Sequence, residues 1–519
     1  MNYPSIFNDV LGPVMRGPSS SHSAAALRIG RLCRDLMGGD IRKAIIDYDP
    51  NGALVTTHKA QGTDMGLYGG FLGWEADDSR LPDFEQHIET AGIDITVNYL
   101  SYGAKHPNTY RIALTNAEKT HHLTAISTGG GMMEVIEIDS RPVAMAGDQF
   151  ETLIFCRDNS IDLADLLPDT LEDTILHEGM IQLRSRQSLG ATVLQNLRAH
   201  EQVDEVVVLA PVMPVLGRKQ ITVPFITCDE MIEIAGEKPL WQLAIDYESA
   251  RSGDSETEVY AKMEKLLAVM RAAVAHGIAG TEYEDRILPC QSGNFSKQRA
   301  AGKLIQGDVL NEVILQVSAL MEAKSSMGVI VAAPTAGSCG AMPGAVLGTS
   351  TILGSSDDEV IKALFIAGLI GVFIAHGSTF AAEEAGCMAE CGSGASMSAG
   401  ALAFLAGGSL EQSLGAASMA LQGSLGMICD PIGNRVEAPC LGKNVLAATN
   451  AVSCANMALA DYQHLIPLDQ VIEAMDKVGK AMPHEHCCTG LGGLAATPAA
   501  RKIEAELESK SSACKPEPA

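Results

Sequence analysis

From Glu256 onward the 519-residue chain loses its strand signals and becomes a run of helical periods built on small residues. Residues 259–276, 309–323, 359–375, 396–406 and 410–425 each carry helical spacing. Gly and Ala recur along them, and a residue with little or no side chain lets backbones approach closely. With 51 Gly and only 4% aromatic residues in the chain, this half is expected to be an all-α domain packed through small residues.

The rest is too long to belong to the same core, so several domains are expected. Residues 1–150 read as α/β. Strand-like runs lie at 41–48, 93–100, 110–114 and 135–138, a helical period covers 23–37, and glycine turns separate them, notably Gly129-Gly130-Gly131. Residues 151–240 form a small α+β module: strand 151–156, helix 162–167, strand 174–183, helix 190–199 and strand 204–209. That order suits a ferredoxin-like unit. Polar residues 250–255 are expected to be a linker, 256–505 an all-α domain, and 506–519 a mobile tail.

Charge narrows the partners. A net charge of −26 argues against nucleic acid or an anionic membrane surface, both of which call for basic patches. Residues 1–10 show no charged segment leading into an apolar one. The most apolar stretch, 363–375, is shorter than the roughly 20 residues that span a bilayer. Thirteen scattered cysteines form no small disulfide framework. The expectation is a cytoplasmic chain whose thiols are mostly small buried hydrophobes.

Three cysteines stand apart. Cys387, Cys429 and Cys440 lie beside Gly386, Pro431 and Pro439, residues that break regular structure. Turn backbones expose thiolates and offer amide donors to sulfur, and three thiolates can hold a [4Fe–4S] cluster with one iron left open. The spacing is not that of a zinc Cys-x-x-Cys pair; ordinary buried thiols are the plain alternative. Gly17-Pro18-Ser19-Ser20-Ser21-His22-Ser23 precedes a helix, where hydroxyls and amides can bind a carboxylate or merely cap the helix. Ala333-Pro334-Thr335-Ala336-Gly337-Ser338-Cys339-Gly340 is a second small-residue loop, for an anion or for tight packing. Gly62-Thr63-Asp64 and His106-Pro107-Asn108-Thr109 are polar turns. No Ser-His-Asp signature, dinucleotide fingerprint or Walker loop is present.

Together these motifs resemble the iron–sulfur L-serine dehydratase (L-serine ammonia-lyase) family over nearly the whole chain. The N-terminal turns, with Gly129-Gly130-Gly131, are similar to the family's β domain. Pro334-Thr335-Ala336-Gly337, Gly386-Cys387-Met388-Ala389-Glu390-Cys391-Gly392, Cys429-Asp430-Pro431, Val436-Glu437-Ala438-Pro439-Cys440, Lys443-Asn444 and Gly492-Gly493-Leu494-Ala495 are similar to its catalytic α domain. The resemblance implies a [4Fe–4S] cluster on Cys387, Cys429 and Cys440, with Cys339 and Cys391 ranking behind them. It implies substrate contacts from Ser19, Ser20, Ser21, Thr63, Asn108 and Thr335, and a base among His58, His22 and His106. The implied reaction is loss of water from L-serine to give pyruvate and ammonia, in a homodimer acting on a small amino acid. The middle module is a candidate for the ACT-like domain of some members.

The chain departs from the family pattern at Gln61, where a histidine is usual, in residues 376–381, and at Cys488-Thr489 in place of Glu-Thr. Some members end in a cysteine that caps the open iron, whereas here a polar tail runs on past Cys514. An amide cannot serve as a base. The alternatives kept open are β-elimination from another β-hydroxy or β-thiol amino acid, such as cysteine desulfuration, and a non-catalytic amino-acid sensor.

Overall fold

The computed structural model describes residues 3–157, 161, 167–168, 171–218, 221–284 and 286–513. The N-terminal part is a six-stranded sheet in the order Asp94–Tyr99, Lys43–Tyr48, Thr109–Thr115, Thr120–Gly129, Met132–Ile138 and Arg141–Met145. Only the first pair is parallel. Period-two alternation buries Ala44, Ile46 and Tyr48 with Tyr110, Ile112, Leu114, Leu123 and Ala125. Helix Ala25–Leu36 covers this face with Ile29, Leu32 and Leu36. It crosses helix Thr63–Phe71 at Gly70, where a Cβ would lie 2.2 Å from the Leu27 carbonyl oxygen. Gly129, Gly130 and Gly131, all at positive φ, form a strand–turn–strand hairpin.

The middle module is a four-stranded antiparallel sheet in the order Val203–Leu209, Phe150–Cys156, Met180–Ser185 and Asp173–His177, with helix Ala191–Ala199. The single strand expected at 174–183 is therefore two, because the chain reverses at Glu178-Gly179, with Gly179 at φ 66°. The helix expected at 162–167 falls outside the described residues except for Leu167.

His121 ties the two sheets together. One ring nitrogen lies 2.7 Å from Asp139 Oδ2 and the other 3.1 Å from Glu205 Oε2, which Lys119 also pairs. Burial works against the charged ring, but its bonds to the two carboxylates outweigh that and lift its pKa from 6.5 to about 9. A raised folded-state pKa contributes stability that is complete below 6.5 and is lost as pH rises through about 9. Urea midpoints are expected to fall across that window, and His121→Gln to remove most of the slope.

The helical half comprises Glu256–Ala279, Asp308–Ser325, Ala341–Leu353, Asp357–Gly377, Ser393–Leu405, Leu410–Gln422, Cys440–Leu459, Leu468–Lys480 and shorter pieces. Capping boxes Ser255/Glu258, Ser356/Glu359 and Ser409/Gln412 start three of them. Small residues set the spacing: a Cβ on Gly277 would lie 2.0 Å from the Ala319 carbonyl oxygen, and one on Gly344 2.6 Å from Val317 Cγ2. Residues 250–252, expected in a linker, instead close helix Leu240–Ser252. Arg251 is buried there, donating to the Tyr3 and Leu216 carbonyls, and Gly253 in the left-handed region turns the chain directly into the next helix. The last helix, Pro498–Ala513, continues past Ala505, where the polar tail was expected to begin.

The N-terminal segment interlocks with the helical half. Val14–Met15 pairs antiparallel with Ile330–Val331. The short helix Ile6–Val10 packs on Asp357–Gly377, where Cβ atoms on Gly368 and Gly371 would lie 2.7 and 2.1 Å from Ile6 and Val10. Asp357–Gly377 is longer than the 363–375 stretch and is the one helix among the described residues long and apolar enough to cross a bilayer. Its most apolar window is 78% buried within the fold, as a core helix requires.

Candidate active site

Gly386 determines where the first of the three cysteines goes. At φ 65° it occupies a backbone region natural to glycine, and a Cβ would lie 2.7 Å from Met482 Sδ and 2.8 Å from the Met427 carbonyl oxygen. That approach brings Cys387 against the extended segment at Cys429. Cys429 donates its N–H to the His486 carbonyl at 2.8 Å and accepts from the Cys488 N–H at 3.2 Å. Cys440 begins helix Cys440–Leu459. Ligand atoms of Cys387, Cys429 and Glu390 all lie within 4.8 Å of one another. Burial and the charge of Cys387 push the Cys440 thiol up.

The neighbouring motif residues hold this centre in place. The Lys443 ammonium stands 3.9 Å from Cys387 Sγ, donates to the Ile428 carbonyl at 2.6 Å and pairs with Asp430. Burial disfavours its charge, yet Cys387 and Asp430 outweigh that and raise its pKa. Asp430 also accepts from the Leu494 N–H at 2.8 Å, with Gly493 leaving room for its carboxylate. Asn444 accepts from the Ala341 N–H and donates to the Gly337 and Cys440 carbonyls. Glu437 accepts from the Ile287 and Leu288 N–H groups, and Lys324 donates to the Val436 carbonyl. Cys391, 3.7 Å from Asn444 Nδ2, lies within electrostatic reach of Cys387 and Cys440. Cys339 faces Met321 in the helical core, and Cys514 is outside the described residues.

Glu390 connects the thiols to the facing wall. Thr335 Oγ1 donates to its Oε1 at 2.6 Å, and its Oε2 lies 4.0 Å from Cys387 Sγ. Burial raises its pKa to about 7, against the lowering effect of the Thr335 bond. The next residue of the Thr335 loop, Ala336, donates its N–H to Ser20 Oγ at 3.1 Å, so the two polar loops read from sequence meet. Ser21 turns its carbonyl to Ser127 Oγ. A cavity of about 120 Å³ is lined by Pro18, Gly62, Met65, Lys324 and Val436, and neither Ser20 nor the Thr335 loop lines it.

The three histidines have different surroundings. His22, fully buried, lies 3.0 Å from Ser19 Oγ through Nδ1 and 2.8 Å from Thr57 Oγ1 through Nε2. Thr57 donates its own proton to the Ala53 carbonyl at 2.7 Å. Nε2 is therefore the donor to Thr57, and Nδ1 accepts from Ser19. Burial and the neighbouring His58 bring the His22 pKa down to about 3. His58 Nδ1 lies 2.8 and 2.9 Å from the two Asp64 oxygens, and its Nε2 is 2.8 Å from the Tyr99 hydroxyl. His106 pairs with Glu384 at 3.3 Å, and its Nδ1 accepts from the Asn108 N–H.

Thr63 heads helix Thr63–Phe71 with a buried hydroxyl that makes no well-formed hydrogen bond, although Tyr110 is close by. Gln61 Nε2 donates to Cys488 Sγ at 3.6 Å, bringing together two positions that depart from the family pattern. Cys488 has φ 61°, strained for a residue with a Cβ. Sequence reasoning gave no role to Glu383, Glu390, Asp64, Thr57 or Lys443. Asp64, Glu390 and Lys443 lay within quoted motifs, and the burial that gives a carboxylate a function is not written in such a motif.

A family model described as "Serine dehydratase alpha chain" matches residues 235–495. The "Probable L-serine dehydratase, alpha chain" of Bacillus subtilis is 35% identical over 280 residues, covering 54% of this chain and 93% of its own length. The "L-serine dehydratase, alpha chain" of Peptoniphilus asaccharolyticus is 36% identical over 285 residues, 54% of this chain and 97% of its own. The "L-serine dehydratase" of Streptomyces coelicolor is 29% identical over 497 residues, 92% of this chain and 96% of its own.

Proposed function

Because this chain belongs to the iron–sulfur L-serine dehydratase family and is a carbon–oxygen lyase, we propose that it eliminates water from L-serine to give pyruvate and ammonia. The observation that carries this reading is the approach of Cys387, Cys429 and Glu390 within 4.8 Å, opposite the junction of Ser20 with the Thr335 loop. The donor set fits a [4Fe–4S] cluster: soft thiols from three segments, each under 7% exposed, with Lys443 offsetting their charge. Held by Cys387, Cys429 and Cys440, such a cluster would supply a Lewis acid for the departing hydroxide.

The chain's own residues do the rest. The Ser20 hydroxyl, whose oxygen accepts from the Ala336 N–H of the Thr335 loop, keeps its proton for the substrate carboxylate, and Ser19, whose proton goes to His22, shapes the loop that presents it. Asp64 holds the Nδ1–H of His58, which leaves Nε2 as the accepting atom. We assign removal of the α-proton to that nitrogen, exchanging the Tyr99 hydroxyl for the substrate. Glu390, with a pKa near 7, carries a proton that it can pass to the leaving hydroxide. His22 stays neutral and positions Ser19, while His106 and Glu384 set the charge at the outer edge. The enamine left by loss of water tautomerises and hydrolyses to pyruvate and ammonia. We also take the middle module as ACT-like, on the support of its strand order, which in module numbering is 4-1-3-2.

The test is anaerobic reconstitution with iron and sulfide, followed by keto-acid and sulfide assays on L-serine and L-cysteine. Pyruvate from L-serine in preference to L-cysteine is the expected result. Sulfide from L-cysteine with L-serine inert would replace the reading by a desulfidase, and a bound cluster with neither product by an amino-acid sensor.

A further inference from the structure

We propose that Glu383 and Asn108 form the subsite that recognises the substrate's α-ammonium, and that Glu383 is a specificity-determining residue of this chain. The proposal rests on the amino-acid lyase reading and deepens it. Glu383 lies on segment Ala382–Cys387, four residues before the first cluster thiol, with its side chain only 4% exposed. Its Oε1 stands 3.5 Å from His22 Nδ1. Its Oε2 is fully enclosed and has no hydrogen-bond partner among the described residues. Asn108, 1% exposed, has both side-chain amide atoms in the same condition. Burial raises the Glu383 carboxyl's pKa and the adjacent Asn108 amide acts in the opposite sense, yet the two make no hydrogen bond of good geometry.

Buried polar atoms are almost always satisfied, so three unpartnered atoms side by side indicate a missing partner. The position of Glu383 shows where that partner sits. Tyr110 on the sheet side and Glu390 and Cys488 on the thiol side are all within its electrostatic reach. The carboxylate therefore lies between the N-terminal wall and the cysteine centre. His22 cannot complete it, because Nδ1 already accepts from Ser19 and the ring's proton is on Nε2.

The partner must therefore bring donors. An ammonium supplies three, enough for Glu383 Oε2 and Asn108 Oδ1 together. The remaining Asn108 Nδ2 is a donor, and the carboxylate one bond from the ammonium's carbon supplies its acceptor. An α-amino acid carries both groups on one carbon. A β-hydroxy acid without the amine would leave Glu383 Oε2 buried and unpaired, the situation by which hydrogen-bonding sites reject analogues most strongly.

The experiment compares L-serine with 3-hydroxypropanoate, which is serine without its ammonium, on the reconstituted holoenzyme. Wild type is expected to prefer L-serine by roughly 100-fold or more, read as KM against the inhibition constant and by calorimetry of binding. In Glu383→Gln the KM for L-serine should rise about 10–100-fold with a much smaller change in kcat, while 3-hydroxypropanoate binds as well as before or better. Glu383→Asp should restore part of the preference, and Asn108→Ala provides an independent variant that moves the same ratio. Equal weakening of both ligands, or an unchanged ratio in folded, cluster-loaded variants, would overturn the proposal. If wild type binds L-serine selectively but makes no pyruvate, and Glu383→Gln abolishes that selectivity, the subsite stands and the serine-lyase reading falls. Pyruvate formation with a ratio indifferent to Glu383 and Asn108 has the opposite meaning.

Discussion

Cys387→Ser is expected to give a folded chain that takes up no iron–sulfur cluster and forms no pyruvate from L-serine. Cys387 is 2% exposed, it shares the 4.8 Å grouping with Cys429 and Glu390, and Lys443 is 3.9 Å from its sulfur. Serine is close to isosteric, so the packing around Gly386 survives. The hydroxyl, however, does not ionise near neutral pH and is a hard donor where a soft thiolate is needed. The loss should exceed the roughly 10–100-fold that follows removal of a group merely supporting a metal ligand. Iron and acid-labile sulfide content and the visible spectrum check the cluster, and far-ultraviolet circular dichroism checks the fold. Cys454→Ser, on the far part of helix Cys440–Leu459 and bonded to Asn450, is the control that should keep both cluster and activity. A cluster retained by Cys387→Ser would shift the third thiolate to Cys391 or Cys488, the nearby alternatives.

What could be read in advance follows from which forces are local. Helical period and small residues give five of the longer helices of the second half, four of them with late starts, but not Ala341–Leu353, Cys440–Leu459 or Leu468–Lys480. The period from Val259 begins only after the acidic first turn, whereas the Ser255/Glu258 box starts the helix at Glu256. Strand Thr120–Gly129 was missed because its outward positions are Thr and His, and strand 174–183 was merged because a two-residue turn leaves little trace. The cysteines could be picked out by their glycine and proline neighbours. The pairing of Gln61 with Cys488, separated by 427 positions, could not. Nor could the roles of Glu383 and Glu390, because a glutamate on a helix normally reads as solvated and only enclosure between two domains raises its pKa.

Asp430→Ala is the stability counterpart of the cysteine experiment. Asp430 is 3% exposed, and its carboxylate pairs with Lys443 and accepts the Leu494 N–H. Removing it leaves a largely buried ammonium uncompensated and an N–H unpaired, a change that typically costs about 3–5 kcal/mol. The midpoint of urea unfolding of the metal-free protein measures this. Asp430→Asn should lose less, since its amide oxygen can still accept from Leu494 while the charge is gone. The double variant Asp430→Ala/Lys443→Met separates the two functions of the pair. An apolar replacement of a buried ion pair is often neutral, so much of the stability should return. Cluster retention should not return, because the positive charge facing Cys387 is then absent. If the double variant instead held its cluster as well as wild type, Lys443 would be a structural partner of Asp430 and nothing more.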